Sequence, residues 1–291
     1  MKDENLVLWQ HGIFFDFNTL SNFNDNYYKH IVFSYKKNFE EINGTNITSD
    51  KGWGCMIRCG QMILYQGIMM LINEESEHLK KQFYDANNSY FSIHKICSFK
   101  KEINIEIDQW VGPNTMCHLI KKIVNLSPYN DKINIQICNN EIFVNEKISK
   151  PTLVFIPLRL GINLIEKKYY HLLFLIFTYT NFVGFIGGSG YQAHYFIGID
   201  NNLDLYYLDP HFTQENNQNT TYKSKKINKK NIIDLDPNIA LCFYAKNQKD
   251  YSDICNIFSQ LENSVIEIKE NNKEENILVN EENEWVNIFM A

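Results

Sequence analysis

No unbroken apolar run in this 291-residue chain approaches the roughly 20 residues that a membrane-spanning helix requires. The longest, Met62–Ile72 and Leu172–Phe177, fall well short, and the first is broken by Gln66. An excess of positive charge is also missing. The 28 Lys and Arg face 34 Asp and Glu, a net charge of −6, which argues against nucleic acid as the default partner. The seven cysteines, an odd number at irregular spacing, lack the pattern of a disulfide framework. The start, Met1-Lys2-Asp3-Glu4, lacks the basic region and apolar core of a signal peptide. A reducing, cytoplasmic setting is the expectation. No Cys/His cluster has metal-ligand spacing, so no metal and no cofactor is expected. No internal repeat is present.

What the chain does have is apolar mass. Hydrophobic residues make up 44%, with 20 Phe and 17 Tyr, enough for a sizeable core. Residues 1–29 read as a flexible lead-in, 30–262 as one catalytic domain, and 263–291 as a disordered acidic tail. Within the domain, helix is predicted over Cys55–Ile72, near Glu74–Tyr84, from Asn114 or Thr115 (as N-cap) through Val124, over Lys167–Phe177, and around Tyr251–Leu261. Strand is predicted within Ile133–Val144, over Thr152–Leu158, and over Ile239–Ala245. The densest strand signal is Phe182–Ile186, the Gly187–Gly190 loop, His194–Ile199, a tight turn and Leu205–Leu208. The Lys/Asn-rich stretch 216–231 reads as a mobile insertion. Helices early and an antiparallel sheet late predict a single α+β domain.

The helix that opens at Cys55 follows Gly52-Trp53-Gly54, and its residues are apolar almost all round, so it is expected to be buried. A thiol at a helix N-terminus faces unpaired N–H groups carrying about half a positive charge, which favours thiolate, the nucleophilic form. Most free cysteines are only small buried hydrophobes, so position alone leaves both readings open. A nucleophilic cysteine needs a base and a group to orient it. Asp209-Pro210-His211 ends a predicted strand, where residues two apart share a face. An alternative order, Cys55, His194, Asp209, would suit acyl-transfer enzymes such as transglutaminases or arylamine acyltransferases.

The segment Thr48-Ser49-Asp50-Lys51-Gly52-Trp53-Gly54-Cys55-Met56-Ile57-Arg58-Cys59-Gly60-Gln61-Met62 resembles the nucleophile segment of the autophagins. These are the papain-like cysteine proteases of autophagy. Phe33–Phe39, Gln109–Thr115, Ile156–Gly161, Gly187–Gly198, Tyr207–Gln214 and Leu235–Ala240 resemble further motifs of that family, in its order, over roughly residues 30–260. The resemblance implies a papain-like α+β fold in which the buried helix carrying the nucleophile packs on a mainly antiparallel sheet. It implies Cys55 as nucleophile, His211 as general base and acid, and Asp209 as its orienter. Tyr35 falls where the family places a hydroxyl near the oxyanion hole, with the Cys55 backbone N–H as second donor. Trp110 matches the tryptophan that covers the substrate's C-terminal glycine.

The resemblance further implies cleavage after the C-terminal glycine of a GABARAP-like ubiquitin-like modifier. It also implies hydrolysis of that glycine's amide with phosphatidylethanolamine, with membranes met only through the modifier and the enzyme a monomer. One departure stands out. Gly188-Ser189-Gly190-Tyr191 replaces the family's lid segment and lacks its proline, so a looser lid is expected. Cys59, one turn after Cys55, is a conceivable disulfide partner for it. In the tail, Trp285-Val286-Asn287-Ile288 behind Glu281, Glu282 and Glu284 resembles the short motif that adds a β-strand to such modifiers, with Trp285 and Ile288 as anchors. A non-catalytic modifier-binding protein that keeps the fold is the remaining alternative.

Overall fold

The computed structural model describes residues 6–42, 44–72, 77–217, 219–260 and 265–270. Its helices are α1 (Leu20–Lys29), α2 (Cys55–Ile72), α3 (Glu77–Lys81), α4 (Ile93–Glu102), α5 (Pro113–Asn125), α6 (Tyr170–Ile176) and α7 (Gln248–Ser259). Its strands are β1 (Leu8–Gln10), β2 (Ile13–Phe15), β3 (Lys36–Lys37), β4 (Asn134–Ile137), β5 (Glu141–Phe143), β6 (Thr152–Arg159), β7 (Phe182–Ser189), β8 (Gln192–Asp200), β9 (Asp204–Leu208), β10 (Gln214–Glu215), β11 (Asn228–Asn231), β12 (Asn238–Ala245) and β13 (Glu267–Lys269).

The central sheet runs β11-β9-β8-β7-β12-β6-β4, with β1 laid on β8 and β2 on β1. Its pairings are antiparallel except β4 with β6. Side chains alternate between faces along a strand, so an apolar strand such as β6 needs cover on both sides. One face supports the core that contains α2, α4 and α5; the other supports the core of α6 and α7. This is the α+β arrangement expected, with α2 packed on a mainly antiparallel sheet.

Helix α2 spans 18 residues and is apolar enough to cross a bilayer, yet 78% of it is buried inside the fold, so it serves as the core helix. Two glycines let it approach its neighbours. A Cβ at Gly60 would lie 2.5 Å from the Met116 side chain on α5, and one at Gly67 would lie 2.8 Å from Leu153 on β6.

Several expectations are corrected. Residues 8–29 are folded rather than flexible: β1 pairs with the end of β8, and α1 buries Phe23 and Tyr27 against the core. The aromatic content of this lead-in is what anchors it. The described residues of the 216–231 stretch, 216–217 and 219–231, are pinned as well. Residues 228–231 add β11 to β9, and Tyr222 stacks on Tyr84 at 5.6 Å and meets Phe33 edge-on. Helix α5 begins at Pro113 with Gly112 as N-cap, ahead of both Asn114 and Thr115, the caps expected, because proline's fixed φ and missing N–H suit the first helical position. The stretch Ile133–Val144 splits into two strands of different sheets, β4 pairing with β6 and β5 with β13. Helix α4 had no prior expectation; its N-cap is Ser92, which accepts from the Lys95 N–H. The tail that carries Trp285 and Ile288 lies outside the described residues.

Candidate active site

Cys55 occupies the first position of α2 and is 1% exposed. The turn before it is built on Asp50. The Asp50 carbonyl accepts from the Trp53 and Gly54 N–H groups, and its carboxylate accepts from the Lys36 N–H at 2.6 Å and from Arg58 Nε at 2.7 Å. Only glycine fits at position 54, since a Cβ there would lie 2.4 Å from Asp50 Oδ2. Arg58 also donates to Asp85 Oδ1 at 2.8 Å and to Gln61 Oε1. This guanidinium is held charged by its two carboxylates in spite of complete burial. A buried ionic cluster thus fixes the entry to the nucleophile helix.

The second wall comes from the chain after β9. Asp209 Oδ1 accepts from both the His211 backbone N–H at 3.0 Å and His211 Nδ1 at 2.7 Å. The ring's other nitrogen, Nε2, is buried without a hydrogen-bond partner, and the His211 ring interacts electrostatically with the Cys55 sulfur. Tyr35 joins the two walls. Its N–H donates to the Pro210 carbonyl at 2.9 Å, its carbonyl accepts from the Gln214 N–H, and β3 runs beside β10 just beyond. Its ring stands edge-on to His211 at 5.5 Å, and its hydroxyl bonds the Cys55 sulfur. A third donor to the sulfur, the Ala193 backbone N–H, had no counterpart in the sequence reading. It comes from β8, opposite Gly188 in the ladder.

These contacts decide the charge state. Burial pushes the Cys55 thiol up, but the bonds from His211, Ala193 and Tyr35 outweigh it and bring it below its ordinary value. Burial pushes His211 down, but Asp209 and the Cys55 sulfur reverse this and lift it to about 9. Both shifts favour a thiolate beside an imidazolium, a pair chemically able to attack a carbonyl carbon and return a proton. Burial pushes Cys59 far the other way, and all seven cysteines are free thiols, so no disulfide joins it to Cys55.

His194 is close but differently placed. Its ring centroid lies 5.2 Å from that of His211, its Nδ1 is buried without a partner, and burial with the neighbouring His211 drives it down to about 3. It makes no bond to the Asp209 carboxylate such as His211 makes. Donor atoms of His194, Asp209 and His211 lie within 4.8 Å of one another, a spacing a metal could bridge. The direct Asp209–His211 bond already engages two of them, which suits a triad better than a ligand set.

The residues expected at the substrate cleft are more open. Trp110 is 44% exposed just ahead of α5, and Tyr191 is 98% exposed. The Gly187–Gly190 stretch is not a loose lid. Strands β7 and β8 continue to Ser189 and Gln192, joined by the two-residue turn Gly190-Tyr191, with φ of +57° and +66°. That turn type matches the twist of the flanking strands, so the hairpin stays paired to its tip. Lys100, fully buried, donates to the carbonyls of Ile107 and Gln109 and lies 5.1 Å from the centroid of the Trp53 ring. It thereby ties the Trp110 loop to the Cys55 turn, through a contact across 100 − 53 = 47 residues that spacing alone does not reveal.

Comparison with known proteins agrees with this geometry. The peptidase C54 catalytic domain matches residues 20–257. The cysteine protease ATG4B of Gallus gallus is 30% identical, with 79% of this chain and 74% of that protein covered. The cysteine protease ATG4A of Xenopus laevis is 28% identical, with 78% and 71% covered. The ATG4A of Homo sapiens is 29% identical, with 77% and 71% covered.

Proposed function

This chain belongs to the peptidase C54 family and is a papain-like cysteine protease, and from that premise we propose that it cuts the bond after the C-terminal glycine of a GABARAP-like ubiquitin-like modifier. The same site then hydrolyses the amide between that glycine and phosphatidylethanolamine. The observation that carries the catalytic assignment is the single imidazole, His211, hydrogen-bonded to Asp209 and interacting electrostatically with the Cys55 sulfur.

In this reading the Cys55 thiolate attacks the glycine carbonyl carbon, forming a C–S bond and a tetrahedral oxyanion. Tyr35 and the Cys55 backbone N–H are the donors for that oxygen, each able to contribute about 3 kcal/mol. The C–N bond then breaks as His211 passes its proton to the departing amine. Water, deprotonated by His211, releases the thioester as a free glycine carboxylate. Both leaving groups are amines on the same glycine, so one proton donor serves both. Trp110 is assigned as the cover over that glycine, and Gly188 to Tyr191 as the hairpin beside it. The catalytic unit spans residues 8–260, and the tail at Trp285 and Ile288 adds modifier affinity.

The test is direct. The purified chain is incubated with a GABARAP-like modifier extended beyond its glycine, and separately with the lipid conjugate, and products are weighed by mass spectrometry. Products ending at the glycine are expected in both cases and are lost in Cys55→Ala, while Cys59→Ala keeps most of the turnover. Near-normal cleavage by Cys55→Ala would sink the assignment.

A further inference from the structure

At the turn of the N-terminal hairpin two histidines meet. His11 lies in the β1–β2 turn and His30 directly follows α1. Each commits its Nδ1 to a backbone carbonyl, His11 to Phe182 O and His30 to Asn26 O, both at 2.9 Å. A carbonyl only accepts, so each Nδ1 must carry the hydrogen, and each neutral ring then presents a bare lone pair at Nε2. The two Nε2 atoms face each other at 3.1 Å. Two lone pairs at that distance repel unless a proton or a cation lies between them.

The geometry suits a cation. With metal–nitrogen bonds of about 2.0–2.1 Å, a 3.1 Å separation subtends roughly 100° at the ion, between the octahedral ~90° and the tetrahedral ~109°. Backbone carbonyls on the far ring nitrogens are the usual way a protein orients imidazole ligands. A third donor is at hand. Gln10 is 1% exposed, its Oε1 has no partner, and its Nε2 lies 3.5 Å from His30 Nε2. Oxygen and nitrogen of an amide are assigned by bonding pattern, so turned over, the oxygen occupies that place. These groups border a cavity of about 300 Å³ that also receives Gln66, Met69 and, at its rim, the exposed Lys29. No carboxylate lines it, which excludes a calcium-type or magnesium-type site, whereas imidazole ligands suit Zn²⁺, Cu²⁺ or Ni²⁺.

We propose that His11 and His30, through Nε2, and Gln10, through its side-chain oxygen, bind a borderline-soft divalent cation such as Zn²⁺, with water completing the shell, and so staple the N-terminal hairpin to α1. The two histidines stand 30 − 11 = 19 residues apart, and only the folded hairpin and helix bring them together. The site is separate from the Cys55 centre and does not depend on the peptidase assignment.

The test uses the full chain carrying Cys55→Ser, to silence the active-site thiol, titrated with Zn²⁺ alone. Calorimetry should show one more bound equivalent than in His11→Gln or His30→Gln, and Zn²⁺ should raise the melting temperature only where both histidines are present. His171→Ala, at an exposed position, should bind as the parent does. Imidazole nitrogen NMR on the parent supplies the readout that needs no variant at the site: the Nε2 signals of His11 and His30 should shift together on adding Zn²⁺. Unchanged stoichiometry in both Gln variants, or Nε2 signals that do not move, overturns the proposal. So does an imidazolium signal from this pair in metal-free protein at neutral pH, because the proton would then occupy the cation's place.

Discussion

Burial alone would leave Cys55 a poor nucleophile, and three donors from separate parts of the chain reverse that. The signs set the pH dependence. On the acid side, activity is lost as the thiolate takes a proton, at a pH below the ~8.5 of a free thiol. On the basic side, it falls as His211 loses the proton needed by the leaving amine, near pH 9. A bell-shaped kcat/KM profile with its basic limb near 9 is the expected outcome. Alkylation of Cys55 against pH separates the two histidines. His211→Ala should move the thiol toward its free value, whereas His194→Ala should shift it little, and the reverse result would hand the base role to His194. Of these residues, Cys55, Asp209 and His211 were legible because they fall in motifs. Ala193 was not, since a backbone N–H carries no side-chain signature, and only the β7–β8 register aims it at the sulfur.

At the level of elements, the entry to α2 depends on the Asp50–Arg58–Asp85 cluster. Removing the cation leaves two buried carboxylates unpaired, so Arg58→Met should cost about 3–5 kcal/mol and lower the melting temperature by on the order of 10 °C. A buried arginine in an apolar helix was the visible signal, but its partners lie 8 and 27 residues away along the chain and could not be assigned from spacing. Lys100→Met should leave two buried carbonyls without their donor. Weaker turnover of the whole modifier is expected, with thiol alkylation close to the parent's. Trp110→Ala should reduce turnover by roughly 100-fold if the indole positions the glycine, since errors of about 1 Å carry that cost; full activity with unchanged glycine preference would assign the cover elsewhere. Helix α2 and the strand ends of β6, β9 and β12 were legible to within a residue or so because periodicity and burial agree there. The hairpin tip was misread because Gly-Gly-Ser-Gly signals flexibility, while a two-residue turn with positive φ turns the same glycine into a pairing device.

For the molecule as a whole, affinity and chemistry are expected to separate. Trp285→Ala should weaken modifier binding by roughly 30-fold, the equivalent of about 2 kcal/mol for a buried indole anchor, while hydrolysis of a short peptide stays unchanged. Unchanged modifier affinity would make the tail motif a chance pattern. The lead-in was misjudged because aromatic residues without clear periodicity do not announce a hairpin and helix; their order comes from β8 and the core they meet. One topological fact reaches further. Cys55 and its imidazole are 211 − 55 = 156 residues apart, with Tyr35 before that gap and Ala193 within it. Contacts of such separation close late in folding. During synthesis the nucleophile therefore emerges long before its base, as an ordinary thiol. Only once β8 and β9 have joined the sheet do His211 and Ala193 reach the Cys55 sulfur, so the chain is expected to be inert toward its surroundings, and toward its own nascent copies, until then.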